Sequence, residues 1–145
     1  MLRAAGTCVT GPAHLSDGQD GQDALALRGW RGGWIAAVAD GLGSRTNSRT
    51  GARLAVQAAQ QVARQLPLQT SAWRHVPARN VATGIYRRWL ATVPWVEKSS
   101  AATTLLLLAC DAQGYAPIWQ IGDGLLLCRM RGEVQVITPE RTGFG

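Results

Sequence analysis

An apolar run that stops abruptly at an aspartate and a glycine is the feature of this sequence that most limits its fold. The run spans Trp34 to Ala39 and is followed directly by Asp40-Gly41. Its length and its glycine stop predict a strand buried on both faces. A carboxylate at the mouth of such a strand is held rigidly, and the adjacent glycine lets backbone carbonyl oxygens approach an ion. Oxygen ligands of this kind suit Mg²⁺ or Mn²⁺, although a turn aspartate that merely ends a strand accounts for the same pattern.

Two amphipathic helices are predicted to follow this strand. Apolar residues recur at helical spacing from Ala52 to Leu66, and Pro67 marks the end of the first helix. The second helix is expected to begin near Pro77, because proline suits the first turn of a helix, and to end before Pro94. The side chains that it presents to the core are predicted to be Val81, Ile85, Trp89 and Val93.

Strands are predicted on both sides of the helices. Two short ones, Leu2 to Thr10 and Ala24 to Arg28, come before the apolar run. The last third of the chain is expected to form an antiparallel meander with turns near Asp111 to Gly114 and at Arg131-Gly132. Its four strands are Ala102 to Cys110, Ala116 to Ile121, Gly124 to Arg129 and Val134 to Thr138. Strands segregated from helices indicate an α+β layered domain.

Two further aspartates lie beside predicted strands. Asp123 stands between Gly122 and Gly124, where one strand ends and the next begins, and Asp23 directly precedes the strand that starts at Ala24. Taken singly, Asp123 is explained by a hairpin turn and Asp23 by a solvated loop. Together with the aspartate of the apolar run they permit a metal cluster without establishing one.

The basic charge of the chain does not indicate nucleic-acid binding. The net charge is +6 and the isoelectric point is about 10.2, which would ordinarily raise that possibility. Lys98 is the only lysine, however, and arginine-rich composition with abundant alanine and glycine explains the charge without a binding function. No basic stripe is interleaved with aromatic residues, and the six tryptophans fall within strand and helix patterns. We therefore expect no nucleic-acid partner.

The cysteines and the apolar segments indicate a cytoplasmic protein. Cys8, Cys110 and Cys128 are odd in number and widely separated, which argues against a disulfide framework or a zinc knuckle. The N-terminus lacks the apolar segment of a signal peptide. The longest strongly apolar run, Leu105 to Cys110, is far shorter than the roughly 20 residues that span a bilayer. We therefore expect no membrane association.

Three segments, taken together and in order, resemble the protein phosphatase 2C-type family of metal-dependent Ser/Thr phosphatases. They are GQDALAL, GWIAAVADGLGSRTNSRTGARLAV and SAATTLLLLACDAQGYAPIWQIGDGLLLCRMRGEVQVIT. The resemblance extends from about Gly11 to Thr138, and each motif is weak alone. The chain looks closest to a bacterial subgroup with a Gln-Asp motif and a serine-rich loop after Asp-Gly.

The resemblance implies a four-layer αββα sandwich with a dinuclear Mn²⁺ or Mg²⁺ centre at one edge. Asp40 matches the aspartate that bridges the two ions, and Gly41 matches the glycine whose carbonyl oxygen binds one of them. Asp23 matches a ligand of a metal or of its water, and Asp123 an aspartate that helps hold a third, looser ion. Such a centre activates a water molecule that attacks phosphorus. The implied substrates are phospho-Ser/Thr proteins that a bacterial Ser/Thr kinase has phosphorylated.

The chain also departs from the family pattern. The stretch Asp17 to Gly21 lacks the arginine that grips phosphate in many relatives, so His14 and Arg45 become the candidates for that role. Gln22 stands where a carboxylate is common. Family members continue with an Asp-Gly and an Asp-Asn motif that are not found here, so residues 1–145 are expected to form a single phosphatase-like domain truncated at its C-terminus. The alternative is a catalytically inactive module that binds a phosphoprotein or regulates a partner.

Overall fold

The fold combines helices with a central antiparallel sheet. The computed structural model describes residues 3–43 and 45–138, apart from the side chains of Val96 and Glu97. The helices are α1 (Pro12–Ser16), α2 (Ser48–Ala63) and α3 (Ala78–Thr92), with 3₁₀ turns at Thr70–His75 and Trp95–Ser100. The strands are β1 (Asp23–Trp30), β2 (Gly33–Asp40), β3 (Leu105–Cys110), β4 (Ile118–Ile121), β5 (Leu127–Met130) and β6 (Glu133–Val136). The predicted α+β composition is confirmed.

Strands β1 to β4 form a four-stranded sheet in the order β1-β2-β3-β4, and every neighbouring pair is antiparallel. The register pairs Asp23 with Asp40 at one end of the sheet. Arg31 and Gly32 form the tight turn at the other end, with φ of 51° and 76°. Asp111 closes the β3–β4 turn, because its Oδ1 accepts the backbone N–H groups of Gln113 at 2.9 Å and Tyr115 at 2.8 Å.

One face of the sheet is covered by helices. Helix α2 lies across β1, β2 and β3, and α3 packs against α2 and β4. Small residues let α2 approach closely: a Cβ at Gly51 would collide with the backbone of Ala101. Trp89 of α3 fixes the two helices together, since its indole N–H donates to the carbonyl oxygen of Gly51 at 3.0 Å. The buried core is centred on Ile35, Ala37, Ala59, Val81, Ile85, Leu105, Leu107 and Trp119.

The two helix predictions are confirmed, with ends near those expected. The apolar period predicted the buried face of α2, and Pro77 stands at the N-cap of α3. Val81, Ile85 and Val93 are buried, and Trp89 is half-buried against the core. These predictions succeed because the period of 3.6 residues and the proline boundaries are local properties of the chain.

Three expectations about the strands are wrong in detail. Strand β2 is buried on one face only, because the helices cover that face and Val38 on the other is 46% exposed. Residues 3–10 form no regular strand, and Leu2 lies outside the described residues. The last four strands do not form one meander, because β5 and β6 pair as a separate hairpin. Positive φ angles at Gly122 (87°) and Gly124 (151°) turn the chain out of the first sheet.

Candidate metal-binding site

Asp23 and Asp40 lie side by side at one end of the sheet. Asp23 is the first residue of β1 and Asp40 is the last of β2, and the register places them directly opposite each other. Because side chains alternate along a strand and Ala39 faces the helices, Asp40 points to the opposite, uncovered face. Both aspartates are exposed. The hairpin alone therefore brings two carboxylates together at the edge predicted from sequence.

The third predicted aspartate also acts on this pair. The pKa of Asp40 is raised above its ordinary value, first by partial burial, then by a hydrogen bond with Asp23, and further by the negative charges of Asp23 and Asp123. Asp123 belongs to the connection between β4 and β5, far from the other two along the chain. The site thus concentrates negative charge, which is the electrostatic condition for binding a cation. Within residues 3–43 and 45–138, however, no three His, Cys, Asp or Glu side chains converge closely enough to hold a metal ion by themselves.

Two threonines hold the backbone of Asp40. The carbonyl oxygen of Asp40 accepts the Thr104 N–H at 2.9 Å and the Thr103 hydroxyl at 3.0 Å. The Asp40 N–H in turn donates to the Thr104 hydroxyl at 3.3 Å. These bonds tie the end of β2 to the segment that leads into β3, so the carboxylate projects from a fixed base. The Thr-Thr pair before an apolar strand is the signal for this clamp, but its contact with Asp40 is not readable from sequence.

Gly41 occupies a position with no room for a side chain. It is buried and forms an isolated β-bridge with Thr103. A Cβ there would lie 2.7 Å from the Gln22 carbonyl oxygen and 2.8 Å from the Ser48 carbonyl oxygen. Glycine is therefore required for close backbone packing at this position, and the role of Gly41 as a metal ligand stays a prediction.

The side chain of Gln22 places a polar atom against the loop that follows Asp40. Its side-chain oxygen, Oε1, is buried and has no hydrogen-bond partner among the described residues. A Cβ built on Gly43 would lie 3.6 Å from that oxygen, which places Oε1 against the loop that follows Asp40. An acceptor left unpaired in such a place is costly unless a cation or a water molecule satisfies it. The amide oxygen of Gln22, like the carboxylate oxygens of the aspartates, is a ligand type that suits Mg²⁺ or Mn²⁺.

The sequence matches a known protein family. Residues 10–144 match the protein family described as Protein phosphatase 2C. The chain belongs to the protein phosphatase 2C family. The match covers all three aspartates and every helix and strand from α1 to β6. No curated protein and no solved structure matches the chain.

In this protein phosphatase 2C chain, the two residues considered for phosphate binding belong to different elements. His14 belongs to α1, and its ring nitrogen Nδ1 lies 3.3 Å from the Gln19 side-chain oxygen. Arg45 is exposed in the loop before α2, where its carbonyl oxygen accepts the Ser48 hydroxyl. Asp23 lines a cavity to which neither residue contributes, and their role in phosphate binding stays a prediction.

Two arginines that the sequence reasoning overlooked share a cavity with Asp23. A cavity of about 450 Å³ is lined by Asp23 together with Arg49 and Arg53. Both arginines belong to α2 and are spaced four residues apart, so they project from the same side of the helix. The four-residue spacing is visible in the sequence. Arg49 and Arg53 lie far from Asp23 along the chain, however, so the sequence gives no sign that they share a cavity with it.

Within residues 3–43 and 45–138, no helix is long and apolar enough to span a membrane.

Proposed function

We propose that this protein phosphatase 2C chain is a metal-dependent phosphatase of phospho-Ser/Thr proteins. The observation that carries the proposal is the pairing of Asp23 with Asp40 at one end of the sheet, where the charge of Asp123 also acts on Asp40, in a chain that matches the phosphatase family over residues 10–144. Family membership suggests phosphate-ester hydrolysis. The pair of aspartates at this end of the sheet suggests where the reaction takes place.

We further propose that Asp40, Asp23, Asp123 and the carbonyl oxygen of Gly41 hold Mn²⁺ or Mg²⁺, as two ions with a third bound more loosely. The mutual repulsion that raises the Asp40 pKa would be relieved by a divalent cation. Such ions supply an activated water molecule and neutralise negative charge on the phosphoryl oxygens. The chain itself would keep the Asp40 carboxylate in place through the hydrogen bonds of Thr103 and Thr104 to the Asp40 backbone.

The finer features of the prediction belong to the same proposal. A four-layer αββα sandwich would place a second sheet on the face of β1 to β4 that the helices leave uncovered. Apolar side chains stand exposed on that face, with Leu27 at 36% and Val38 at 46% exposure, and a second sheet would remove them from water. The expected setting is the cytoplasm of a bacterium, with substrates phosphorylated by a Ser/Thr kinase.

Hydrolysis of p-nitrophenyl phosphate tests the proposal directly. We expect activity that requires added Mn²⁺ or Mg²⁺, is lost in EDTA and is abolished in Asp40→Ala. Asp17→Ala is the matched control, because Asp17 is exposed in the turn after α1. Circular dichroism should show that both variants are folded. Activity that persists in Asp40→Ala, or without any metal, would contradict the assignment of Asp40.

A second candidate function is an inactive module that binds a phosphoprotein or regulates a partner. It is suggested by Gln22, an uncharged side chain at a position where relatives often carry a carboxylate, because the missing charge would weaken one metal site. This function predicts phosphopeptide binding without phosphate release. Measuring both quantities on the same preparation separates the module from the enzyme.

A further inference from the structure

A charged cavity, lined in part by Asp23, lies next to β1, the outer strand of the sheet. Helix α2 lines it with Arg49, Arg53 and Gln57, at intervals of four residues. The N-terminal segment lines it with residues Cys8 to Thr10 and with Asp20 and Gly21, and β1 lines it from Asp23 to Ala26. The volume of the cavity, about 450 Å³, falls within the range of about 300–1,000 Å³ usual for ligand sites.

The charges of this cavity are not equally engaged. Arg49 of α2 forms an ion pair with Asp20 of the N-terminal segment. Arg53 is exposed and has no hydrogen-bond or ion-pair partner within residues 3–43 and 45–138. Asp23 is the remaining charged side chain of the cavity, and it is one of the three aspartates proposed to hold metal. Bound metal would offset the negative charge of Asp23 and leave Arg53 as the unbalanced charge of the cavity.

We propose, on the basis of the phosphatase function proposed above, that Arg53 is a specificity-determining residue that binds an anionic side chain flanking the phosphoresidue of the substrate. Asp23 connects the two places, because it lines the cavity and stands opposite Asp40 in the hairpin. A guanidinium group presents a planar fork of N–H donors that matches a carboxylate or a phosphate in two parallel hydrogen bonds. The site therefore favours phosphopeptides with acidic or further phosphorylated neighbours.

Binding of non-hydrolysable phosphopeptides tests the proposal independently of catalysis. Peptides with a phosphonate analogue of phosphoserine would carry flanking glutamates, flanking phosphoserine analogues or flanking glutamines. We expect Arg53→Gln, with Mn²⁺ present, to raise Kd about tenfold for both anionic peptides, the usual effect of losing one charge-assisted hydrogen bond. Kd for the glutamine peptide should not change. Arg64→Gln is the control, because Arg64 ends the same helix outside the cavity.

Reversing the charge sharpens the test. Arg53→Glu should weaken binding of the glutamate peptide further and strengthen binding of a peptide with flanking lysines. An equal loss for anionic and neutral peptides, or no loss for any, would overturn the proposal. Loss for only one of the anionic peptides would identify carboxylate or phosphate as the group that is bound. A preparation that selects peptides in this way but does not hydrolyse p-nitrophenyl phosphate would refute the phosphatase function while leaving the role of Arg53 supported.

Discussion

Replacing Asp40 with asparagine should stabilise the metal-free protein at neutral pH while removing its affinity for metal. Asparagine has nearly the same shape as aspartate, and the backbone bonds from Thr103 and Thr104 to residue 40 do not involve its side chain. The substitution therefore removes one negative charge and leaves these backbone bonds in place. In the wild-type protein, partial burial and then the nearby Asp23 and Asp123 make that charge unfavourable.

The magnitude follows from the strand register. Asp23 and Asp40 are directly opposite, where Cβ atoms on antiparallel strands are about 5 Å apart. Two unit charges at about 5 Å repel by roughly 0.8 kcal/mol in water, and like charges in such cross-strand pairs destabilise by about 0.2–1 kcal/mol. Both residues are exposed to solvent, so this screened value applies. The expected gain for Asp40→Asn is about 0.5–1 kcal/mol, or about 2–4 °C in Tm.

The pH dependence of folding stability gives the sign of the change expected for Asp40→Asn. Because the folded protein raises the Asp40 pKa, it binds this proton more tightly than the unfolded chain does. The contribution of Asp40 to stability is therefore fully present below the unfolded pKa and is lost as pH rises through the folded pKa. Asp40→Asn should accordingly gain stability at pH 7 in EDTA and gain none at about pH 3.

Urea denaturation followed by tryptophan fluorescence measures this difference, with Asp17→Asn as the control for an exposed aspartate elsewhere. Added Mn²⁺ should then stabilise the wild-type protein and leave Asp40→Asn unchanged, because a ligand stabilises only the folded state that binds it. The reasoning would be refuted if Asp40→Asn lost stability at pH 7, or if its gain were the same at both pH values.

Two further substitutions test the surroundings of the site. Gly41→Ala should destabilise the protein by about 1–3 kcal/mol in urea denaturation, because its Cβ would be forced against the Gln22 and Ser48 carbonyl oxygens; Gly11→Ala, with open space around it, should be close to neutral. Burial by itself would raise the pKa of Asp111, but hydrogen bonds led by the Tyr115 N–H outweigh it and lower that pKa. Asp111→Asn should therefore destabilise the protein at pH 7, and the difference from wild type should shrink as pH falls through the folded pKa of Asp111. An equal difference at pH 7 and at acid pH would show that the carboxylate charge is not responsible.

Sequence reasoning succeeded wherever neighbouring residues carry the pattern. The helices α2 and α3 follow from apolar spacing and from Pro67 and Pro77, and the Asp111 turn follows from its turn-forming residues. It failed where burial depends on distant elements. The run from Trp34 to Ala39 is apolar enough for burial on both faces, yet only the face beneath the helices is covered within the described chain. A strand sequence records its own hydrophobicity but not what packs on each side.

The same division applies to the site. The sequence by itself determined that Asp40 ends a strand and that a glycine follows, because strand length and glycine stops are local signals. Only the tertiary structure decided that Asp23 stands opposite Asp40, that Thr103 grips its backbone, and that Arg53 projects into the adjoining cavity. These contacts join segments far apart in the chain, and they depend on strand register and helix placement. Register is set by the packing of whole elements, so no short motif encodes it.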